Sequence, residues 1–77
     1  MINWQDYITS NPEVMYGKPV VVGTRIPVDI IIEKLSLGET IDDLLEAYPT
    51  ISREHIFSCL AYAVAMIRNE EAYAIAS

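Results

Sequence analysis

The sequence predicts a mainly α domain, a three-helix helix-turn-helix preceded by a short β-strand or hairpin segment. Three observations carry that expectation. Before residue 26 the chain is dense in Gly and Pro around a β-branched run. From Val28 onward apolar residues recur with helical period, and Pro27, Gly38 and Pro49 interrupt that period at spacings suited to three helices. The expected organisation is one domain, 1–77, with a strand and turn segment at 1–26, a three-helix core at 27–69 and a helix end or tail at 70–77.

In the first segment, Asn11-Pro12, Gly17-Lys18-Pro19 and Gly23 mark turns, and Val20-Val21-Val22 reads as a short strand. A lone two-stranded hairpin is marginal in water. The segment therefore either packs on the helices or pairs with the same segment of a second copy. A chain of this length buries only about 60% of its unfolded surface, and the second arrangement adds burial that so small a core lacks.

Helix one is expected from Val28, Ile31, Ile32 and Leu35 at i, i+3, i+4 and i+7, with Pro27 in its first turn and Gly38 just past its end. Helix two follows from Ile41, Leu44, Leu45 and Tyr48. Thr40 and Asp43 form a weaker relative of the capping box at its start, and Pro49 stops it. Helix three has Ser52 as N-cap, Glu54 in the first turn and a stripe of Ile56, Cys59, Leu60, Ala63 and Ile67, running to about Asn69. It also carries Phe57, Tyr62, Val64 and Met66 off that stripe. A helix apolar almost all round is buried on more than one side, so a partner surface is expected around Tyr62, Met66 and Tyr73.

A hydrophobic fraction of 52% with 21% charged residues excludes a disordered tail, and no apolar stretch approaches the ~20 residues of a membrane span. Residues 1–9 lack a basic stretch followed by an apolar one, so a cytoplasmic location is expected. The single Cys59 can form no internal disulfide. A net charge of −6 favours a basic protein partner over nucleic acid.

The inventory disfavours an enzyme, and neither cofactor nor metal is expected. His55 lies four residues before Cys59 on helix three, but Cys59 sits among core positions, where cysteine is a small hydrophobe. Asp42 and Asp43 point about 100° apart and cannot share a proton. Gly17-Lys18-Pro19 and Gly23-Thr24-Arg25 lack phosphate-loop spacing. One His and one Cys do not satisfy zinc. In a helix-turn-helix the first turn of the last helix meets the major groove. The DNA-binding candidates there are Ser52, Arg53 and His55, with Lys18 and Arg25 as further basic residues. Ordinary capping and solvation explain the first three equally well, and Arg25 has Asp29 and Glu33 as intramolecular partners to choose from.

The blocks Gly17-Lys18-Pro19, Gly23-Thr24-Arg25-Ile26-Pro27-Val28, Leu37-Gly38, Tyr48-Pro49 and Leu60-Ala61-Tyr62-Ala63 occur in the order and spacing of the bacterial and archaeal family called domain of unknown function 433. The chain resembles that family over residues 7 to about 68. The resemblance implies a helix-turn-helix, homeodomain-like fold and similarity to antitoxins encoded beside toxins with a PIN-type ribonuclease fold. It thereby implies a homodimer whose partners are the toxin from an adjacent gene and its own operator DNA. Carried onto this chain, it marks Gly17, Lys18, Pro19, Gly23, Thr24, Arg25, Pro27, Gly38, Tyr48, Pro49 and Tyr62.

The combined expectation is a noncatalytic antitoxin-like protein, dimeric through its strand segment or helix three, with the outer face of helix three covering a toxin. The rival expectation is a stand-alone helix-turn-helix transcriptional regulator that binds DNA.

Overall fold

The computed structural model of the protein describes residues 2–76, with side chains through residue 69. The chain opens with a 3-10 turn at Trp4–Asp6, held by the Asn3 side chain, which accepts from the Gln5 N–H. Two short strands follow, β1 (Ile8–Thr9) and β2 (Val20–Val21), paired antiparallel with Ile8 opposite Val21 and Thr9 opposite Val20. The helices are α1 (Val28–Ser36), α2 (Ile41–Ala47) and α3 (Arg53–Ala76).

The turn signals act where the sequence places them. Asn11 Oδ1 accepts from the Glu13 N–H at 2.9 Å and the Asn11 carbonyl accepts from Val14 at 2.8 Å, closing the bend at Pro12. After β2 the chain turns through Gly23 at φ 74°, a left-handed position that glycine adopts without a Cβ clash. Thr24 locks this turn: its hydroxyl donates to the Val21 carbonyl at 2.7 Å and accepts from the Ile26 N–H at 3.0 Å.

α1 begins one residue later than expected. Pro27 has extended backbone and stands outside the helix as its N-cap, where the missing N–H costs nothing. The helix ends in a Schellman arrangement, with Gly38 at φ 94°, its N–H donating to Leu35 and the Glu39 N–H donating to Lys34. α2 opens on a complete capping box. The Thr40 hydroxyl accepts from the Asp43 N–H at 3.1 Å, and Asp43 Oδ2 accepts from the Thr40 N–H at 2.9 Å. Those bonds to the ionised form hold the Asp43 carboxyl below its usual value.

The core is built from Ile8, Val21, Val28, Ile31, Leu44, Ile51, Ile56 and Cys59. Trp4, Ile26, Ile32, Leu35, Ile41, Leu45, Tyr48 and Tyr62 pack around it. Strand residues Ile8 and Val21 thus bury themselves on the helices of their own chain. The expected stripe of α3 needs correction. Ile56 and Cys59 are buried and Ala63 is half-buried, but Leu60 and Ile67 are exposed, while Ser58 is fully buried. Ser58 tolerates that position because its hydroxyl donates to the Glu54 carbonyl at 2.7 Å. α3 also continues past Asn69, its backbone helical through Ala76. Among the described residues no helix is long and apolar enough to cross a membrane.

Candidate functional site

Three places gather the residues that sequence reasoning singled out: the first turn of α3, the turn segment around β2, and the two faces of α3.

At the first turn of α3, Ser52 and His55 bind each other. The Ser52 N–H donates to His55 Nδ1 at 3.0 Å, and the Ser52 hydroxyl lies 2.9 Å from the same nitrogen. His55 therefore occupies the third helical position as Glu does in a capping box, with Nδ1 as acceptor and the proton on Nε2. Its ring meets Tyr7 edge-on, with centroids 5.3 Å apart. Arg53 reaches back to α2, where its Nη2 lies 2.5 Å from Asp42 Oδ1. The Glu54 carboxyl is held below its usual value by the backbone N–H of its own residue, then by the Ser52 side chain. Arg53 is thus neutralised by Asp42, and Glu54 leaves the turn with a negative charge.

Lys18 and Arg25 separate. Lys18 Nζ lies 3.2 Å from Asp29 Oδ2, taking the partner that Arg25 had available. Arg25 forms none of the ion pairs among the described residues. It lies on the rim of an open hollow of about 520 Å³ lined also by Thr9, Asn11, Val14, Val20, Gly23 and Thr24. Beside this hollow, Met15, Tyr16 and Gly17 make a left-handed turn at φ 51°, 57° and 84°. For the two non-glycine residues this costs roughly 1–2 kcal/mol each, and Tyr16 projects wholly into solvent. Nothing in the sequence signals that Met15 and Tyr16 adopt this conformation.

On α3, Tyr62 packs against the core and meets Trp4 edge-on, with ring centroids 5.0 Å apart. Its other side lines a groove of about 200 Å³ with Pro19, Val28, Ile32 and Ala63, and the Lys18–Asp29 pair closes its rim. Met66 is half-buried, and the side chain of Tyr73 lies outside the described residues. Cys59 is fully buried, and desolvation pushes its thiol from an ordinary 9.0 to about 11. Sequence reasoning missed two features here. One is the groove, whose signal is the coincidence of the Gly-Lys-Pro block with α1 in space. The other is an exposed row on the opposite face of α3: Phe57 (44% exposed), Leu60 (38%), Val64 (44%) and Ile67 (55%).

The region that builds the hairpin, α1, α2 and the first half of α3, residues 8–63, matches the family model described as "Protein of unknown function (DUF433)". The chain belongs to the DUF433 family. The motif blocks that suggested the family thus lead to the correct assignment. The chain is also similar to the uncharacterized protein y4eO of Sinorhizobium fredii (strain NBRC 101917 / NGR234), 36% identical over 61 residues. That alignment covers 79% of this chain and 28% of the relative, so the chain spans little more than a quarter of that protein's length. No solved structure matches. The family match ends at Ala63, so the exposed row straddles its boundary, with Phe57 and Leu60 inside and Val64 and Ile67 beyond.

Proposed function

We propose that this chain is a noncatalytic, antitoxin-like protein that binds a second protein, a toxin of PIN-type ribonuclease fold from an adjacent gene, and blocks it sterically. The groove between Lys18-Pro19, α1 and α3 carries the reading. It is apolar along Pro19, Val28, Ile32, Tyr62 and Ala63, it is open, and it has room for one bulky side chain anchored as interface hot spots are. The net charge of −6 speeds association with a basic partner. The groups that would serve covalent chemistry are otherwise engaged. Cys59 is buried and protonated at neutral pH, and Nδ1 of His55 caps α3.

The test is co-expression of the tagged chain with each neighbouring open reading frame, followed by recovery of stoichiometric partners. One adjacent product should copurify, should halt growth when expressed alone, and should be released from the chain by Ala63→Glu. That substitution weakens the complex at least about thirtyfold, the size of a ~2 kcal/mol hot spot. Lys18→Glu, at the exposed rim, perturbs the same complex without touching the core. Tyr62 is a poor probe because it packs against the core. A complex indifferent to both variants removes the groove from the reading.

A second reading, operator binding as a helix-turn-helix regulator, is supported by the succession of α2 and α3 across residues 48–52 and by the exposed Arg53 at the start of α3. Affinity that falls steeply with salt and drops on Arg53→Ala, Lys18→Ala or Arg25→Ala supports it. Asp42 and Glu54 flanking Arg53 weigh against it.

A further inference from the structure

The β1–β2 ribbon has two faces, and only one of them belongs to the core. Ile8 and Val21, paired across the ribbon, lie in the core cluster, whereas Thr9 and Val20, the other pair, stand on the opposite face. Val20 is nevertheless only 1% exposed and forms the floor of the open hollow of about 520 Å³, with Val14 as a second apolar wall. Donor groups surround this floor. Asn11 spends Oδ1 on the Glu13 N–H, which leaves its two amide N–H bonds to give. The Thr9 hydroxyl and the Arg25 guanidinium make no side-chain hydrogen bond or ion pair among the described residues, while the Thr24 hydroxyl is consumed in its own turn. Arg25 is set in place by its backbone. The Val21 N–H donates to the Ile26 carbonyl at 2.9 Å and the Val28 N–H to the Pro19 carbonyl at 3.0 Å, lacing the stretch after Arg25 to β2. No Asp or Glu lines the hollow, although the chain carries eleven.

We propose that this hollow captures the C-terminal residue of a peptide, with the free carboxylate on Arg25, Asn11 and Thr9 and the apolar side chain over Val14 and Val20. The donor set selects the carboxylate. An unpaired guanidinium grips a planar carboxylate with two parallel N–H bonds, and the amide and hydroxyl beside it add neutral donors. The floor selects the terminal residue. Such a residue carries its carboxylate and its side chain on one Cα, which matches a cation beside an apolar floor. An internal Asp or Glu has its carboxylate at the tip of the side chain and leaves the floor uncovered. A free amino acid brings an ammonium that finds no acidic group in the lining. A phosphate backbone brings many charges against a chain of net charge −6, whereas a single carboxylate meets chiefly the local field of Arg25. The open side lets the preceding peptide residues pass into solvent. The hollow shares no lining residue with the groove of Pro19, Ile32 and Tyr62, so this site goes beyond the groove reading and does not depend on it.

The test is an NMR titration of the isotope-labelled full chain with the tripeptide acetyl-Ala-Ala-Leu bearing a free C-terminal carboxylate, beside the same peptide as its C-terminal amide. The free acid should shift the Gly23 and Thr24 amide signals and the Arg25 Nε–H signal, and the amide should bind at least about tenfold more weakly, having lost the charge-assisted bonds. Replacing the terminal Leu of the peptide by Ser should weaken binding several-fold, since Val14 and Val20 are then left uncovered. Arg25→Gln should cost at least about tenfold, and Arg25→Lys should retain part of the affinity because it keeps the charge and loses the fork. Arg25 is exposed, so circular dichroism should show both variants folded as the wild type is. A free acid that shifts nothing around the hollow, or an amide that binds equally well, overturns the proposal. Isovalerate binding as tightly as the tripeptide overturns the peptide in favour of a small free acid. Inorganic phosphate binding as tightly overturns the preference for a carboxylate.

Discussion

α3 presents two faces of nearly the same composition with opposite fates. On the inner face Ile56 and Cys59 are fully buried, and Tyr62 is pinned between the core and Trp4. On the outer face Phe57, Leu60, Val64 and Ile67 remain between a third and somewhat over a half exposed. Hydrophobicity alone does not separate Ile56 from Ile67 or Cys59 from Leu60. Cys59 and Leu60 are separated by a rotation of about 100° around the helix, whereas Ile56 and Ile67, eleven residues apart, point nearly the same way and differ in that the core covers α3 at Ile56 and not at Ile67. A helix apolar around most of its circumference thus carries apolar side chains both buried in the fold and exposed on its surface, and the sequence period does not say which is which.

The comparison breaks most visibly at its two extremes. Ile56→Ala removes a fully buried side chain from the densest part of the core and should cost about 2–5 kcal/mol in denaturant unfolding. Leu60→Ala, one turn further along α3 and 38% exposed, should cost less than about 1 kcal/mol under conditions where the chain is monomeric. Equal costs would mean that the outer face is also covered within one chain. A smaller effect is expected at the lid of the inner face. Trp4→Ala deletes the edge-on contact with Tyr62 and should lower stability by about 1–2 kcal/mol, while exposing Tyr62 to fluorescence quenchers. The last difference leaves stability almost unchanged and is read by reactivity. A thiol raised from 9.0 to about 11 has roughly a hundredfold less thiolate at pH 8. Native Cys59 should therefore resist alkylation until the chain unfolds, and Leu60→Cys should introduce a thiol that reacts at once. Rapid labelling of Cys59 in the folded chain would show that the inner face opens on the timescale of the reaction.

The same division runs through what could be read in advance. The helix starts and stops were legible where the stabilising groups lie within a few residues: the Thr40–Asp43 box and the left-handed Gly38. The family was legible too, because its blocks are short, ordered and carried by those turns. The candidate site was less so. Ser52 and His55 turned out to cap α3 from three residues apart, a spacing present in the sequence but masked by the habit of expecting Glu there. Lys18 rather than Arg25 took Asp29, and Arg53 took Asp42, pairings that span eleven positions.

By itself the sequence determined three helices, the capping box of α2, the stop of α1 at Gly38 and the strand-forming run before them, because propensity, capping and turn geometry act between near neighbours. Only the tertiary structure decided which face of α3 is buried, that Trp4 covers Tyr62, and that Pro19, Ile32 and Ala63 border one groove. Those outcomes depend on contacts between distant segments. A helix apolar around most of its circumference carries no period from which those contacts can be read.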